Sequence, residues 1–137
     1  MARARELLFD THSFLDVYQG RLQVRYYFDA FLTGDVIPYM SVMTEAEIWR
    51  RLEADDVDRH QAFIERFTML PVRADAARLA GTWMQHYRNT GLGWMDALVV
   101  ATAKVATIPV LTRDQQLASV LANEAVFELY GLFEENE

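Results

Sequence analysis

Short apolar runs alternate with stretches of helical periodicity along this chain, and four of the boundaries between them carry an acid. These are Asp10 in LLFDTH, Glu47 in SVMTEAEIW, Asp96 in GWMDALVVATA and Asp114 in VLTRD. Alternation of strand and helix requires crossover connections, and crossovers build a mainly parallel sheet covered by helices. In an open sheet of this kind the ligand lies beyond the carboxyl ends of the strands. Carboxylates gathered there make a hard, oxygen-rich site suited to Mg²⁺ or Mn²⁺. The expected fold class is therefore α/β, with Asp10, Glu47, Asp96 and Asp114 converging on a divalent cation for chemistry on phosphates.

The pattern divides the chain as follows. A strand covers residues 6–10 and a short helix 11–19; Val24, Tyr27, Phe28 and Phe31 then share one face of a second helix, which Gly34 ends. Residues 36–40 read as a strand that Pro38 interrupts, which places it at an edge or makes it irregular. Thr44 starts the next helix, residues 56–67 form another with a charged outer face, and a short strand covers 69–73. Ala76, Leu79, Ala80, Trp83 and Tyr87 recur at helical spacing, so 74–89 is a long amphipathic helix. Residues 95–106 are apolar nearly all round, as in a helix buried against a sheet, with Asp96 on the first turn. Pro109, Val110 and Leu111 form a buried strand that delivers Thr112, Arg113 and Asp114; a helix at 115–122 and a strand at 126–129 follow. No repeat, linker or low-complexity stretch divides the sequence, so residues 1–137 are expected to form one domain.

Charge and composition limit the function classes. Cysteine is absent, which removes disulfides, thiolate ligands and a cysteine nucleophile together and fits a reducing cytoplasm. The run Leu7-Leu8-Phe9 is too short for a signal sequence, and no run is long enough to span a membrane. A formal net charge of −7 runs against the Lys/Arg surplus of most nucleic-acid binders. Clustered metal-site acids would be neutralised by bound cations, however, and Glu134, Glu135 and Glu137 form a separate acidic tail. All of the 13 basic residues except Lys104 are arginine, a bias that suits an arginine-lined phosphate groove and equally a GC-rich coding sequence.

The motifs carry a resemblance. DTHSFLD after a strand, S-x-x-T-x-x-E-I from Ser41 to Ile48, D-A-L-V-V-A-T-A from Asp96 to Ala103, and L-T-R-D from Leu111 to Asp114 resemble, in order and spacing, the four acidic motifs of the PIN-domain ribonucleases. Short chains of this kind are similar to the VapC-like toxins of toxin–antitoxin pairs. The resemblance implies a flavodoxin-like sheet, Mg²⁺- or Mn²⁺-dependent cleavage of RNA, a homodimer, and an antitoxin protein as partner. It implies that Asp10 and Asp96 hold the principal ion. Asp114 completes that site directly or through water, and Glu47 binds a second ion or orients the attacking water. Thr11, His12, Thr112 and Arg113 are supporting or substrate-contacting candidates. Where the family follows its first acid with Thr-Ser or Thr-Asn, this chain has Thr11-His12, placing an imidazole beside the carboxylate. Exposed apolar side chains at Tyr26, Tyr27, Phe28 and Phe31 would suit the dimer or antitoxin surface.

Each acid also has a purely structural explanation. Thr44-x-x-Glu47 is a capping box, Asp96 is favoured by the helix dipole, and Asp10 and Asp114 are good N-caps. Arg113 suits a substrate phosphate or a neighbouring acid equally. Other chemistries fit less well. His12, His60 and His86 are scattered, so zinc would need them to meet without cysteine. Gly91-x-Gly93 lacks the third glycine of a dinucleotide fingerprint and reads as a loop placing Asp96. A metal-dependent phosphatase or phosphoacceptor on the same sheet would also gather acids, but His12 occupies the second place of the D-x-D it would need. A catalytically silent binding module of the same architecture is the third alternative. Trp94, two residues before Asp96, is the aromatic best placed to stack on single-stranded RNA.

Overall fold

The computed structural model describes residues 4–131; the acidic tail lies outside them. Five strands form one parallel sheet: β1 (Arg5–Phe9), β2 (Val36–Ser41), β3 (Thr68–Leu70), β4 (Val110–Thr112) and β5 (Phe127–Leu129), in the order β3-β2-β1-β4-β5. The helices are α1 (Thr11–Tyr18) and α2 (Leu22–Leu32) after β1, and α3 (Val42–Arg51) and α4 (Val57–Ile64) after β2. Next come α5 (Ala74–His86) and α6 (Trp94–Ala106) after β3, and α7 (Gln115–Val120) between β4 and β5. A single 3-10 turn at Ala54–Asp56 precedes α4.

Strand β1 shows why the sheet is covered on both sides. Its last three residues, Leu7, Leu8 and Phe9, are fully buried, and successive side chains of a strand point to opposite faces. Leu7 and Phe9 enter a core with Phe14, Val24, Phe28, Phe31 and Phe67, while Leu8 enters the other with Ala80, Trp83, Val100 and Val110. The first core is mainly aromatic. Phe9 meets Phe28 and Phe67 edge-on, each at 5.2 Å between ring centroids, the arrangement aromatic quadrupoles favour. The residue immediately before Asp10 is thus held by the densest packing on that face.

Several expectations change. The strand carrying Pro38 is interior, between β1 and β3. Pro38 pairs with Leu7 on the β1 side, but β3 joins β2 only from Tyr39 onward. The missing amide therefore falls where the strand still has one neighbour. Helix α3 begins at Val42, capped by the Ser41 side chain accepting from the Met43 amide. Thr44 is thus buried inside the helix and is not its cap; its hydroxyl has no hydrogen-bond partner among the described residues. The capping box expected at Thr44 and Glu47 does not form. The helix expected over 56–67 is shorter, and β3 stops ahead of Pro71. Phe28 and Phe31, expected on an exposed patch, are core residues, whereas Tyr26 is 63% exposed. Lys104 is exposed near the end of α6, whose middle is buried. Among the described residues no helix is long and apolar enough to cross a membrane.

Replacing Phe9 with alanine leaves a cavity where four aromatic rings meet. Unfolding by urea is expected to show a loss of about 3–5 kcal/mol, and a loss below about 1 kcal/mol would mean that the aromatic cluster does not anchor β1.

Candidate active site

The chain order places the strand reversal between β1 and β4. From β1 the chain moves to one side through β2 and β3, then returns across to β4 and β5 on the other. The crevice beyond the carboxyl ends of β1 and β4 is where such sheets bind ligands. Asp10 follows the last residue of β1, and Asp114 comes two residues after β4.

Both acids cap the helices they introduce. Asp10 Oδ1 accepts from the Ser13 amide at 2.9 Å, and Asp114 Oδ1 from the Leu117 amide at 3.0 Å. One hydroxyl joins them. Thr112 donates to Asp10 Oδ2, and its oxygen accepts from the Asp114 amide at 3.1 Å. The supporting role read for Thr112 is therefore concrete, since it ties the end of β1 to the turn after β4. Helix α6 brings Asp96 to the same place. The Gln116 side chain donates to Thr90 O at 3.1 Å, linking the start of α7 to the loop before α6. That loop turns at Gly91, whose φ of +87° favours glycine and where a Cβ would lie 3.2 Å from Gln116 Nε2.

Asp10, His12, Glu47 and Asp96 line one open cleft of about 230 Å³, together with Arg50 and Arg51. Asp96 and Asp114 line an adjoining hollow. The four acids predicted from the sequence thus come to one end of the sheet. Burial first, and the charge of Asp96 second, push the Asp10 carboxyl up to about 6, against the Thr112 hydroxyl, His12 and the Ser13 amide, which favour its charged form. Asp96 is also raised, by the packing around its carboxyl and then by Asp114 and Glu47, with His12 opposing. His12 faces both of these carboxylates. Thr11, on the first turn of α1, is half-buried and also lines the cleft.

The donor set fits a hard divalent cation, being four carboxylates at one end of the sheet, two of which burial first and neighbouring charge second hold against ionisation. It is not a finished cage. Among the described residues no three His, Asp or Glu side chains are drawn together as they would be around an ion. Asp114 is turned to the Leu117 amide, and Glu47 to Arg50 at 2.9 Å and Arg51 at 3.8 Å.

Arg113 Nε lies 3.2 Å from Asp16 Oδ2, the acidic neighbour among its two readings. Asp16, missed as a site residue, is only 2% exposed and also takes Arg21 at 3.3 Å and the Tyr130 hydroxyl at 2.8 Å. Burial, Asp10 and Asp16 together raise Tyr130 far above the usual tyrosine range. No local signal marks Asp16, because Arg113 and Tyr130 come from distant parts of the chain. Arg50 and Arg51 were also missed, although their spacing from Glu47 on a helix announced the pairing. Glu45 faces away from Glu47, as expected from its spacing. It meets Nε2 of the fully buried His60, whose Nδ1 meets the Tyr18 hydroxyl. Trp83 is core and Trp94 is 55% exposed.

The family model described as the PIN domain matches residues 7–122. No curated protein matches significantly. Solved structures share the fold at low identity. A toxin–antitoxin complex from Klebsiella pneumoniae is 21% identical, with a TM-score of 0.72 over 89% of this chain and 95% of the other. VapBC2 from Rickettsia felis, bound to a DNA fragment from its promoter, is 14% identical, with a TM-score of 0.75 over 91% and 98%. DNA-bound VapBC from Salmonella typhimurium is 17% identical, with a TM-score of 0.73 over 90% and 97%.

The raised Asp10 carboxyl makes stability depend on pH. Well below its unfolded value of 3.8 it is protonated in the folded and the unfolded chain alike. As pH rises from there towards about 6, the folded chain holds the proton more tightly, so stability falls with rising pH. Above about 6 the folded chain carries the buried charge, at a cost on the order of 3 kcal/mol. An Asp10→Asn variant keeps the Ser13 cap through its amide oxygen, loses that charge, and presents its NH2 to the Thr112 oxygen, so that hydrogen bond is reversed. In chelator at pH 7 it is expected to unfold at higher urea than wild type, with the difference closing towards pH 4. A difference between variant and wild type that does not change between pH 4 and pH 7 would rule out a strained carboxylate, because the altered Thr112 hydrogen bond contributes equally at both.

Proposed function

The chain belongs to the PIN-domain family, and on that premise we propose that it is a divalent-cation-dependent endoribonuclease serving as the toxin of a toxin–antitoxin pair. The observation that carries the reading is the meeting of Asp10, Glu47, Asp96 and Asp114, from four separate parts of the sequence, at the strand reversal of a parallel sheet. Helix capping accounts for Asp10 and Asp114 one at a time. It does not account for two further acids brought to the same crevice.

In this reading Asp10 and Asp96 supply oxygen ligands to the principal ion, Asp114 completes them, and Glu47 serves a second ion or orients the attacking water. A bound Mg²⁺ or Mn²⁺ would neutralise charge growing on the phosphate oxygens during in-line attack. The Ser13 amide and the Thr112 hydroxyl each hold one oxygen of Asp10, which fixes the carboxylate and leaves each oxygen a further lone pair for an ion. His12 lines the cleft with both principal carboxylates and has a ring N–H to offer a phosphate oxygen. The amino ends of α1 and α6 open on the same crevice, where their dipoles favour an anionic substrate. The toxin assignment rests on the fold shared with the toxin–antitoxin complexes, and the partner would be an antitoxin protein, with the toxin itself a homodimer. With Phe28 and Phe31 in the core, the exposed apolar residues that α2 offers such a surface are Leu22, Tyr26 and Leu32.

The test compares wild type with Asp96→Asn on single-stranded and structured RNA, with Mg²⁺, with Mn²⁺ and with chelator. Cleavage by wild type is expected only with a cation, falling at least about a hundredfold in the variant, an order set by the loss of a ligand that stabilises transition-state charge. The cation is also expected to raise the wild-type melting temperature, because it binds only the folded chain. A cation-induced rise in melting temperature without RNA cleavage would favour a silent PIN-type module or a phosphatase.

A further inference from the structure

Glu47 contributes a carboxylate to the cleft, yet that carboxylate is turned back along its own helix. Its Oε2 accepts from Arg50 at 2.9 Å and lies 3.8 Å from Arg51 Nε. The two arginine side chains are 64% and 48% exposed, and that of Glu47 is 22% exposed. Exposed pairs one turn apart on a helix hold weakly, so a stronger partner can take the carboxylate. Both arginines line the cleft that holds Asp10, His12 and Asp96. This pairing is one of two departures from a closed cage, the other being the turn of Asp114 to the Leu117 amide.

A divalent ion seated between Asp10 and Asp96 would compete directly for Glu47. Once it takes the carboxylate, two guanidinium groups lose their shared partner at once, at the mouth of the site. Their planar forks match phosphate oxygens. In a chain of net charge −7, two newly unpaired arginines beside the acids are what a polyanion needs in order to approach.

We propose that Glu47 exchanges partners, parked on Arg50 and Arg51 until a divalent cation draws it into the cleft, whereupon the two arginines bind backbone phosphates of the RNA strand. Cation and RNA binding then reinforce each other through one carboxylate, and by linkage the reinforcement is reciprocal. The inference rests on the nuclease reading and adds to it the residues that grip the substrate and the order in which they become available.

The experiment measures binding of a short fluorescein-labelled single-stranded RNA to wild type, to the Arg50→Gln/Arg51→Gln double variant and to Glu47→Gln. Each is read by anisotropy over a range of salt, in chelator and in Ca²⁺, with the RNA checked intact on a gel. An Arg25→Gln/Arg66→Gln variant, on α2 and in the turn between α4 and β3, controls for the change in net charge. In chelator the double variant is expected to bind like the control. In Ca²⁺ it should bind at least about fivefold more weakly, with a salt slope shallower than wild type by about 1.4, the value for two phosphate contacts on a single strand. Glu47→Gln should bind RNA more tightly than wild type in chelator. A loss of equal size in both conditions would mean that the arginines are always available, and no loss in either would mean that they do not touch RNA; both results overturn the proposal. If wild type binds no RNA in Ca²⁺, the nuclease reading itself falls.

Discussion

The hydroxyl of Thr112 holds together what the rest of the site depends on. It donates to the Asp10 carboxylate and accepts from the Asp114 amide, so a single side-chain atom spans the ends of β1 and β4. Those strands lie side by side where the order of the sheet reverses, which is also where no crossover helix covers their ends. Without that bridge Asp10 would be a buried carboxylate supported on one side only by the Ser13 amide. With it, two strand ends more than a hundred residues apart share one polar junction. Behind the junction, Phe9 packs edge-on against Phe28 and Phe67, so the strand has little freedom to withdraw.

The crevice therefore has a fixed side and an adjustable side. Asp10 is nearly buried, doubly hydrogen-bonded and backed by aromatic packing. Glu47, Arg50 and Arg51 sit on the outward part of α3 and interact with one another near solvent. This asymmetry suits a site that must keep its principal ligands in place while admitting a large, charged and flexible substrate. It also reconciles the two explanations open to Asp10 and Asp114. An N-cap uses one carboxylate oxygen, at Asp10 Oδ1 and Asp114 Oδ1, so capping fixes the side chain without using up its capacity to bind. The helix start and the site are the same construction.

The fold was legible where the physics is local. The alternation of apolar runs and helices led to a parallel α/β sheet, and the buried helix holding Asp96 was plain from its apolar circumference. The errors came from non-local pairing. Pro38 reads as an edge signal, yet the strand is interior, because what matters is where β3 begins beside it. Thr44 reads as a cap, but Ser41 had already taken that place one turn earlier. Phe28 and Phe31 looked available for a partner, since nothing in a linear pattern says that Phe9, Phe63 and Phe67 will close over the same helix face. Asp10, Asp96 and Asp114 were legible because they follow strands or begin helices, and Glu47, which lies in the middle of α3, only through its motif; Asp16 sits inside α1 and gains its meaning only from residues 97 and 114 positions further on.

Asp16 links parts of the molecule that the sheet alone would leave independent. It takes the Arg113 guanidinium with the same oxygen that accepts from the Tyr130 hydroxyl. Arg113 stands between Thr112 and Asp114, and Tyr130 immediately follows β5. The chain leaving the last strand is therefore moored to the turn that presents an acid to the crevice. A pull applied beyond Tyr130, by a fused tag or by a protein gripping that segment, has a short mechanical path to the site: one hydroxyl, one carboxylate and one guanidinium. The far end of the sequence is in this sense a handle on its centre.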